Sequence, residues 1–297
     1  MSTFKILLKR NIKLFFKDKG LFFTSLITPA ILLVLYATFL GNVFEDSFLQ
    51  VFSGVPSYDK KLIDGCVGGQ LISSILAVSC VTVPFCSNML MVQDKVNGSI
   101  RDITVSPVKS STVALAYYFA TLASSLIICF SATGLCLGYV ATVGWYLSGA
   151  DVLLIILDVF LLVLFGTALS SVINVFMSTQ GQISAVGSIV SSVYGFICGA
   201  YMPISQFSPA LQKTLSFLPG TYGTSLLRNH SLNGCFEEMR ATGVPEEAVD
   251  GIRAVVDCDI KFFDNTVPEA AMFAVLCVTV TVLIALYVLL NKLKNKK

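Results

Sequence analysis

Few residues in this chain have types and spacings able to do chemistry. There is one histidine, His230, so a Ser-His or Cys-His dyad has only that imidazole to draw on. It lies in a polar segment near the edge of an apolar one and reads as a surface residue. No Gly-Lys dipeptide occurs, which excludes the loop that cradles nucleotide phosphates. Zinc-type His and Cys spacing and the G-x-S-x-G elbow are also missing. The sequence therefore offers no catalytic residue and no metal site. The cysteines are informative only in part. Cys80, Cys86, Cys129, Cys136, Cys198 and Cys277 fall in apolar stretches, where they pack as small hydrophobes. Cys66 sits at an edge. Cys235 and Cys258 share one polar segment, either as a disulfide on an oxidising side of a membrane or as two free thiols. The sharpest single residue is Asp158, an acid inside an otherwise apolar run. A carboxylate there costs several kcal/mol unless paired or hydrated. It serves either substrate or proton handling, or a structural bond to a neighbour or the headgroup layer.

The elements that position these residues follow from composition. Of 297 residues, 55% are hydrophobic and only 13% charged, about half the share of a soluble domain. That excludes an ordinary soluble fold and a disordered chain, and predicts an all-α membrane protein. Six stretches are long enough to cross a bilayer: Leu21–Leu40, Val67–Val92, Thr112–Val140, Val152–Met177, Ile183–Met202 and Val267–Leu290. Grouping the segments between them alternately separates the charge. One set, made of the N-terminal segment, the second and fourth loops and the tail, sums to +10. The other sums to −7, and Asp158 supplies the remaining −1 of a net +2. Lys and Arg concentrate on the cytoplasmic side, so both termini are expected there.

The connecting segments have characters of their own. Residues 1–20 predict an interfacial helix: Lys5, Lys9, Lys13 and Lys17 recur every four residues, and Phe4, Leu7, Leu8, Ile12, Phe15 and Phe16 fill much of the remaining face. A basic amphipathic helix beside a span lies in the plane of anionic headgroups. Loop 93–111 is cytoplasmic and mixes both charge signs with apolar residues. Its Asp94, Arg101, Asp102 and Lys109 suit either ion pairing with a docked protein or a solvated turn. Segment 205–266 is external. Ser208-Pro209 opens a short apolar helix as cap and first turn, too short to span and so re-entrant or interfacial. Beyond it, 234–265 is acidic and water-soluble in character, with a short helix starting at Pro245-Glu246-Glu247, where acids favour the helix dipole. The last unit is 267–297, a sixth span and a basic tail. Gly134-x-x-x-Gly138 and Gly195-x-x-x-Gly199 permit close helix packing.

The order and placement of these pieces resemble the permease subunits of ABC-2 type exporters over nearly the whole chain. The resemblance rests on the amphipathic N-terminal helix, the six spans, a segment ending Thr104-Val105-Ser106-Pro107-Val108, and the run Gly199-Ala200-Tyr201-Met202-Pro203 … Leu218-Pro219-Gly220-Thr221-Tyr222-Gly223 … Leu227-Arg228. It implies that Asp94, Lys95, Gly98, Arg101, Asp102, Ser106 and Pro107 belong to an ATPase-coupling segment, although the acids here stand only at Asp94 and Asp102. It also implies that Pro203, Pro219, Tyr222 and Arg228 build an external re-entrant element. The family implies two cytoplasmic ATP-binding subunits that carry ATP and Mg, and a second permease, identical or related. No cofactor is expected in this chain. The substrate implied is an amphiphilic small molecule, drug-like or antibiotic-like. A lipid-linked glycan or cell-wall precursor is the alternative, and a partner-binding or sensory membrane subunit is the alternative of another class. Nucleic acid is not expected as a partner. A bacterial plasma membrane is the expected location.

Overall fold

The computed structural model describes residues 3–35, 60–105, 108–263 and 265–294, with isolated positions between 38 and 49. The described chain is almost wholly helical. Helix α1 (Thr3–Lys17) and α2 (Lys19–Leu35) meet at a 73° bend. Then come α3 (Lys60–Ser87), α4 (Met89–Val96), α5 (Ser99–Val105), α6 (Ser110–Val143), α7 (Gly149–Phe176) and α8 (Gln180–Ile197). After a 3-10 turn, Ile204–Gln206, follow α9 (Pro209–Leu215), α10 (Pro219–Ala241) and α11 (Glu246–Val255). A two-residue antiparallel pair, β1 (Lys261–Phe262) and β2 (Asn265–Thr266), precedes α12 (Glu269–Lys294).

Among the described residues, four helices are long and apolar enough to cross a membrane: Lys60–Val96, Ser110–Val143, Gly149–Phe176 and Glu269–Leu293. Counting the bent pair α1 and α2 as one span makes up to five. The expected first span coincides with α2, but its end beyond Leu35 includes positions outside the described residues. The expected fifth, Ile183–Met202, is α8, which stops at Ile197 before a turn that places Gly199 at φ +76°. Its Ser and Gly content makes it the least apolar of the expected spans. The outer surface carries the signature of a lipid environment. Val278, Val282, Leu286, Leu289 and Leu293 form an exposed stripe on α12, and Phe23, Ile27, Ile31 and Val34 form another on α2.

Helix α3 is the centre of the bundle, with 89% of its apolar window buried. Helices α2, α6, α7, α8 and α10 all pack against it. In lipid this packing gains little from water exclusion, and association rests on dispersion and interhelical hydrogen bonds. Two sequence features set it. Pro84 removes a backbone donor and frees the carbonyl of Cys80 four residues earlier. Gly166 of α7 lies against that carbonyl, where a Cβ would stand 2.5 Å from the oxygen, so only glycine permits the approach. Several hydroxyls inside the helices bond within their own turn: Ser25, Thr82, Thr133 and Thr281 each donate to the carbonyl four residues back.

The largest departure from expectation is α10. The sequence divides a short re-entrant piece from a water-soluble part beginning at 234, yet one helix of 23 residues runs from Pro219 through that boundary. It is polar in composition and still buried, from Gly220 through Arg228, Asn229 and His230 to Met239. Periodicity does not announce it, because its buried residues mix Gly, Ser, Thr and ionisable groups with Leu226, Leu227 and Leu232 instead of forming one apolar stripe.

Candidate functional site

Two polar constellations stand out, one around α4 and one around α10. At the first, Arg10 of α1 holds Asp94 of α4 in a two-pronged ion pair, Nη1 to Oδ2 at 2.7 Å and Nη2 to Oδ1 at 3.1 Å. The hydroxyl of Tyr117 on α6 donates to the same Oδ2 at 2.5 Å. The Asp94 side chain is buried and that of Arg10 about one-third exposed. Three elements thus meet on one carboxylate. The basic stripe leaves this contact free: Lys5, Lys9 and Lys13 are exposed, while Phe15 and Asn11 are buried on the inner face of α1. Phe4 meets Phe119 of α6 edge to face at 6.0 Å.

The next residue, Lys95, reaches the end of α7. Its Nζ donates to the carbonyl of Asn174 at 2.6 Å, with those of Met177 and Val175 at 3.3 and 3.4 Å. These carbonyls lie at the C-terminal end of α7, where the Asn174 carbonyl also accepts from the Met177 amide, and a cation there opposes the negative end of the helix dipole. Replacing Lys95 by Met is expected to cost about 1 kcal/mol of stability and to leave the α3–α6 contacts intact. Thermal unfolding of the purified chain is the measurement, and a loss beyond that of a neighbouring surface lysine such as Lys109 is the outcome required.

Asn88 completes the anchorage. It sits at the turn between α3 and α4, and its amide donates to the hydroxyls of Ser170 and Ser171 at 3.1 Å each. Thr121 donates to its side-chain oxygen, and Asn174 to its backbone carbonyl. Beyond α4 the segment is half-covered: Ile100 and Ile103 pack against the core, and the opposite face is open. Gly98 has φ +80° with open space around it, a left-handed turn that suits glycine. Asp102 is exposed, and Val105 is 89% exposed. The side chain of Arg101, and Ser106 and Pro107 entirely, lie outside the described residues.

The re-entrant residues converge on the second constellation. Pro219 starts α10, and Tyr222 one turn later donates through its hydroxyl to the carbonyl of Ser216 at 2.5 Å. Thr221 does the same to Leu215 at 3.0 Å. Pro-x-x-Tyr is therefore a device that caps the end of α9 and turns the chain into α10. Arg228, 1% exposed, donates to the carbonyl of Gly199 and faces Asp257 at 3.7 Å. Asp257 in turn accepts from the backbone amides of Ile204 and Ser205, just after Pro203.

His230 corrects the sequence reading. It is not a surface residue but is 5% exposed, and its Nδ1 lies 2.6 Å from Oδ2 of Asp158 on α7. Its Nε2 faces Glu269 at the start of α12 at 3.8 Å. Asp158 thus has a specific partner 72 positions away, which spacing cannot reveal. Arg10, Tyr117 and Asn88 were missed as well; a lone basic or polar residue facing an apolar helix is the only signal they give. Cys235 and Cys258 are both thiols. Cys235 lies beside Cys66 of α3 instead, and burial pushes Cys258 up to about 12.

No curated protein matches the chain. A family model described as ABC-2 type transporter matches residues 2–230, which includes both constellations apart from Asp257 and Glu269. The chain is a multi-pass membrane permease component, of a kind whose ATPase activity normally resides in a separate subunit, and it belongs to the ABC-2 type transporter family.

Proposed function

We propose that this chain is the permease subunit of an ATP-driven exporter, with six spans, both termini in the cytoplasm and two ATP-binding subunits docked beneath a pair of permeases. The observation that carries the reading is the coupling segment. Its root is fastened to α1, α6 and α7 through Asp94, Lys95 and Asn88, while its tip, α5, packs one face on the core through Ile100 and Ile103 and presents Asp102 and Val105 outward. A rigid root and an exposed apolar residue at the tip suit a lever that receives motion from a docked motor. ATP and Mg bind that motor, and the partition of charge, +10 against −7, supports its cytoplasmic position in a bacterial plasma membrane.

The cargo we assign is an amphiphilic small molecule, drug-like or antibiotic-like. Helices α7, α8, α10 and α12 line a half-open cavity of about 380 Å³, with Phe165, Ile173, Val193, Tyr194 and Leu283 in its wall and almost no polar surface. Such a wall suits the apolar part of an amphiphile better than a glycan. Val105→Glu tests the assignment of the tip. The substitution is expected to abolish recovery of an ATP-binding subunit with the tagged permease, while Lys109→Glu preserves it. Equal recovery with both variants would sink the docking role, and failure of the native chain to recover such a subunit would sink the exporter reading.

A further inference from the structure

The Asp158–His230–Glu269 row is absent from everything derived so far about coupling or cargo. Its geometry is directional. Both ring nitrogens of His230 face carboxylates, one buried and one wet. The Asp158 side chain has no exposed area, and its second oxygen, Oδ1, has no protein partner. The Glu269 side chain is 54% exposed. The ring stacks on Phe273 with centroids 6.0 Å apart, which fixes its plane. A neutral imidazole has one nitrogen without a hydrogen, and that nitrogen would point its lone pair at a carboxylate. Only the imidazolium donates toward both acids.

The surrounding charge has the same sense. Asp151 of α7 contributes a third carboxylate and is tied to α10 by Asn233 at 3.0 Å. Two bases lie nearby among the described residues: Arg253 of α11, which is engaged by Asp259 and bonds Asn229 beside the histidine, and Arg228, two residues before the histidine on α10, which is engaged by Asp257 and the Gly199 carbonyl. Helix α3 brings no charged residue between Gly65 and Ser87; its nearest titratable group is the thiol of Cys80, within electrostatic reach of Asp158. Three acids around one histidine make a place for a cation, and the smallest cation fits the row as it stands.

We propose that Asp158, His230 and Glu269 form a proton-binding site reached from the external water, and that the exporter's cycle requires the proton to be bound. A proton arriving at Glu269 passes to Nε2, one O–H bond breaking as one N–H bond forms, and the hydrogen on Nδ1 stays in the bond it donates to Asp158. One proton enters, and the ring becomes the imidazolium that donates to both acids. The bound form ties α7, α10 and α12 together; loss of the proton leaves two carboxylates against a neutral ring and loosens the row. The external assignment rests on the topology and exporter reading given above.

His230 is the chain's single histidine, so 15N-histidine labelling of the full chain in lipid nanodiscs gives one imidazole to follow by NMR. One titration is expected between about pH 5 and 9, the range in which histidine changes charge. In Glu269→Gln, a change at a half-exposed side chain that leaves the fold in place, the midpoint moves down by about 0.8 in pH, the effect of one charge at that distance in water-like dielectric. In Asp158→Asn it moves further in the same direction. In sided vesicles the signal follows the outer buffer. In the assembled exporter, ATP hydrolysis falls about tenfold per pH unit above the midpoint, and His230→Gln removes that dependence. An imidazole that does not titrate, a midpoint unmoved in Glu269→Gln, a titration that follows the lumen, or a hydrolysis profile unchanged in His230→Gln each overturns the proposal. If no ATP-binding subunit assembles, the NMR arm still stands, which separates failure of the exporter reading from failure of the proton site.

Discussion

Replacing Asp94 by Leu is expected to detach α1 from α4 and to be among the most damaging single changes on that side of the bundle. Asp94 accepts two bonds from Arg10 and one from Tyr117, and bonds to a charged group contribute about 1.5–3 kcal/mol each. Arg10 is about one-third exposed and can turn its guanidinium to water, so part of that loss is recovered. Tyr117 is buried and cannot do the same. A net loss of about 2–3 kcal/mol follows, between the value of a surface pair and that of a fully buried one. The double variant Arg10→Met with Asp94→Leu is expected to regain much of it, because replacing both members of a buried pair by apolar groups is often close to neutral. Thermal unfolding of the full chain in detergent measures both. If the double variant is no more stable than Asp94→Leu alone, the pair is not what holds α1 in place. In the assembled exporter the same change is expected to lower cargo-stimulated ATP hydrolysis at least as strongly as it lowers stability. The root of the lever would then yield before the bundle moves.

The contrast between α1 and α10 shows what a sequence of this kind discloses. The Lys5-Lys9-Lys13-Lys17 stripe was legible because solvent-facing lysines repeat with the helix period, and the structure leaves all four exposed. The same period hid Arg10, which breaks the stripe by a third of a turn and points inward instead. The apolar spans were legible because lipid demands one composition over a fixed length. Within them, Asn88, Ser170 and Ser171 carry no period, since a polar residue in a membrane helix is placed by its partner on another helix. Helix α10 fails both rules. It is buried without being apolar, Tyr222, Arg228, Ser225 and His230 being matched to Ser216, Gly199, Cys258 and Asp158. Such matching is a property of the assembled bundle. The motif Pro219-x-x-Tyr222 did mark the place, but as a start signal for a helix whose length and burial it does not encode.

That matching makes Arg228 the second site where one substitution should be costly. Its guanidinium is 1% exposed and spans two segments far apart in sequence: the turn after α8, through the carbonyl of Gly199, and the turn after α11, through Asp257. Asp257 adopts φ +52°, a left-handed conformation that costs energy for a non-glycine residue and persists only when its surroundings fix it. Arg228→Met removes the charge opposite Asp257 and strands the Gly199 carbonyl. Asp257 keeps its two backbone donors, and the ion pair is long, so the expected loss is about 3 kcal/mol, at the low end for a broken buried pair. Arg228→Lys is expected to restore less than half of it, because one ammonium lacks the fork that reaches two acceptors in different directions. Unfolding of the full chain, together with proteolysis of the 204–218 segment, provides the check. A Met variant within about 1 kcal/mol of the native chain, or full rescue by Lys, would show that simple cavity filling accounts for Arg228. The larger loss with poor rescue would instead show that it acts as a rivet, so that α10 can hold His230 against Asp158 only while its own outer half is clamped between these two turns.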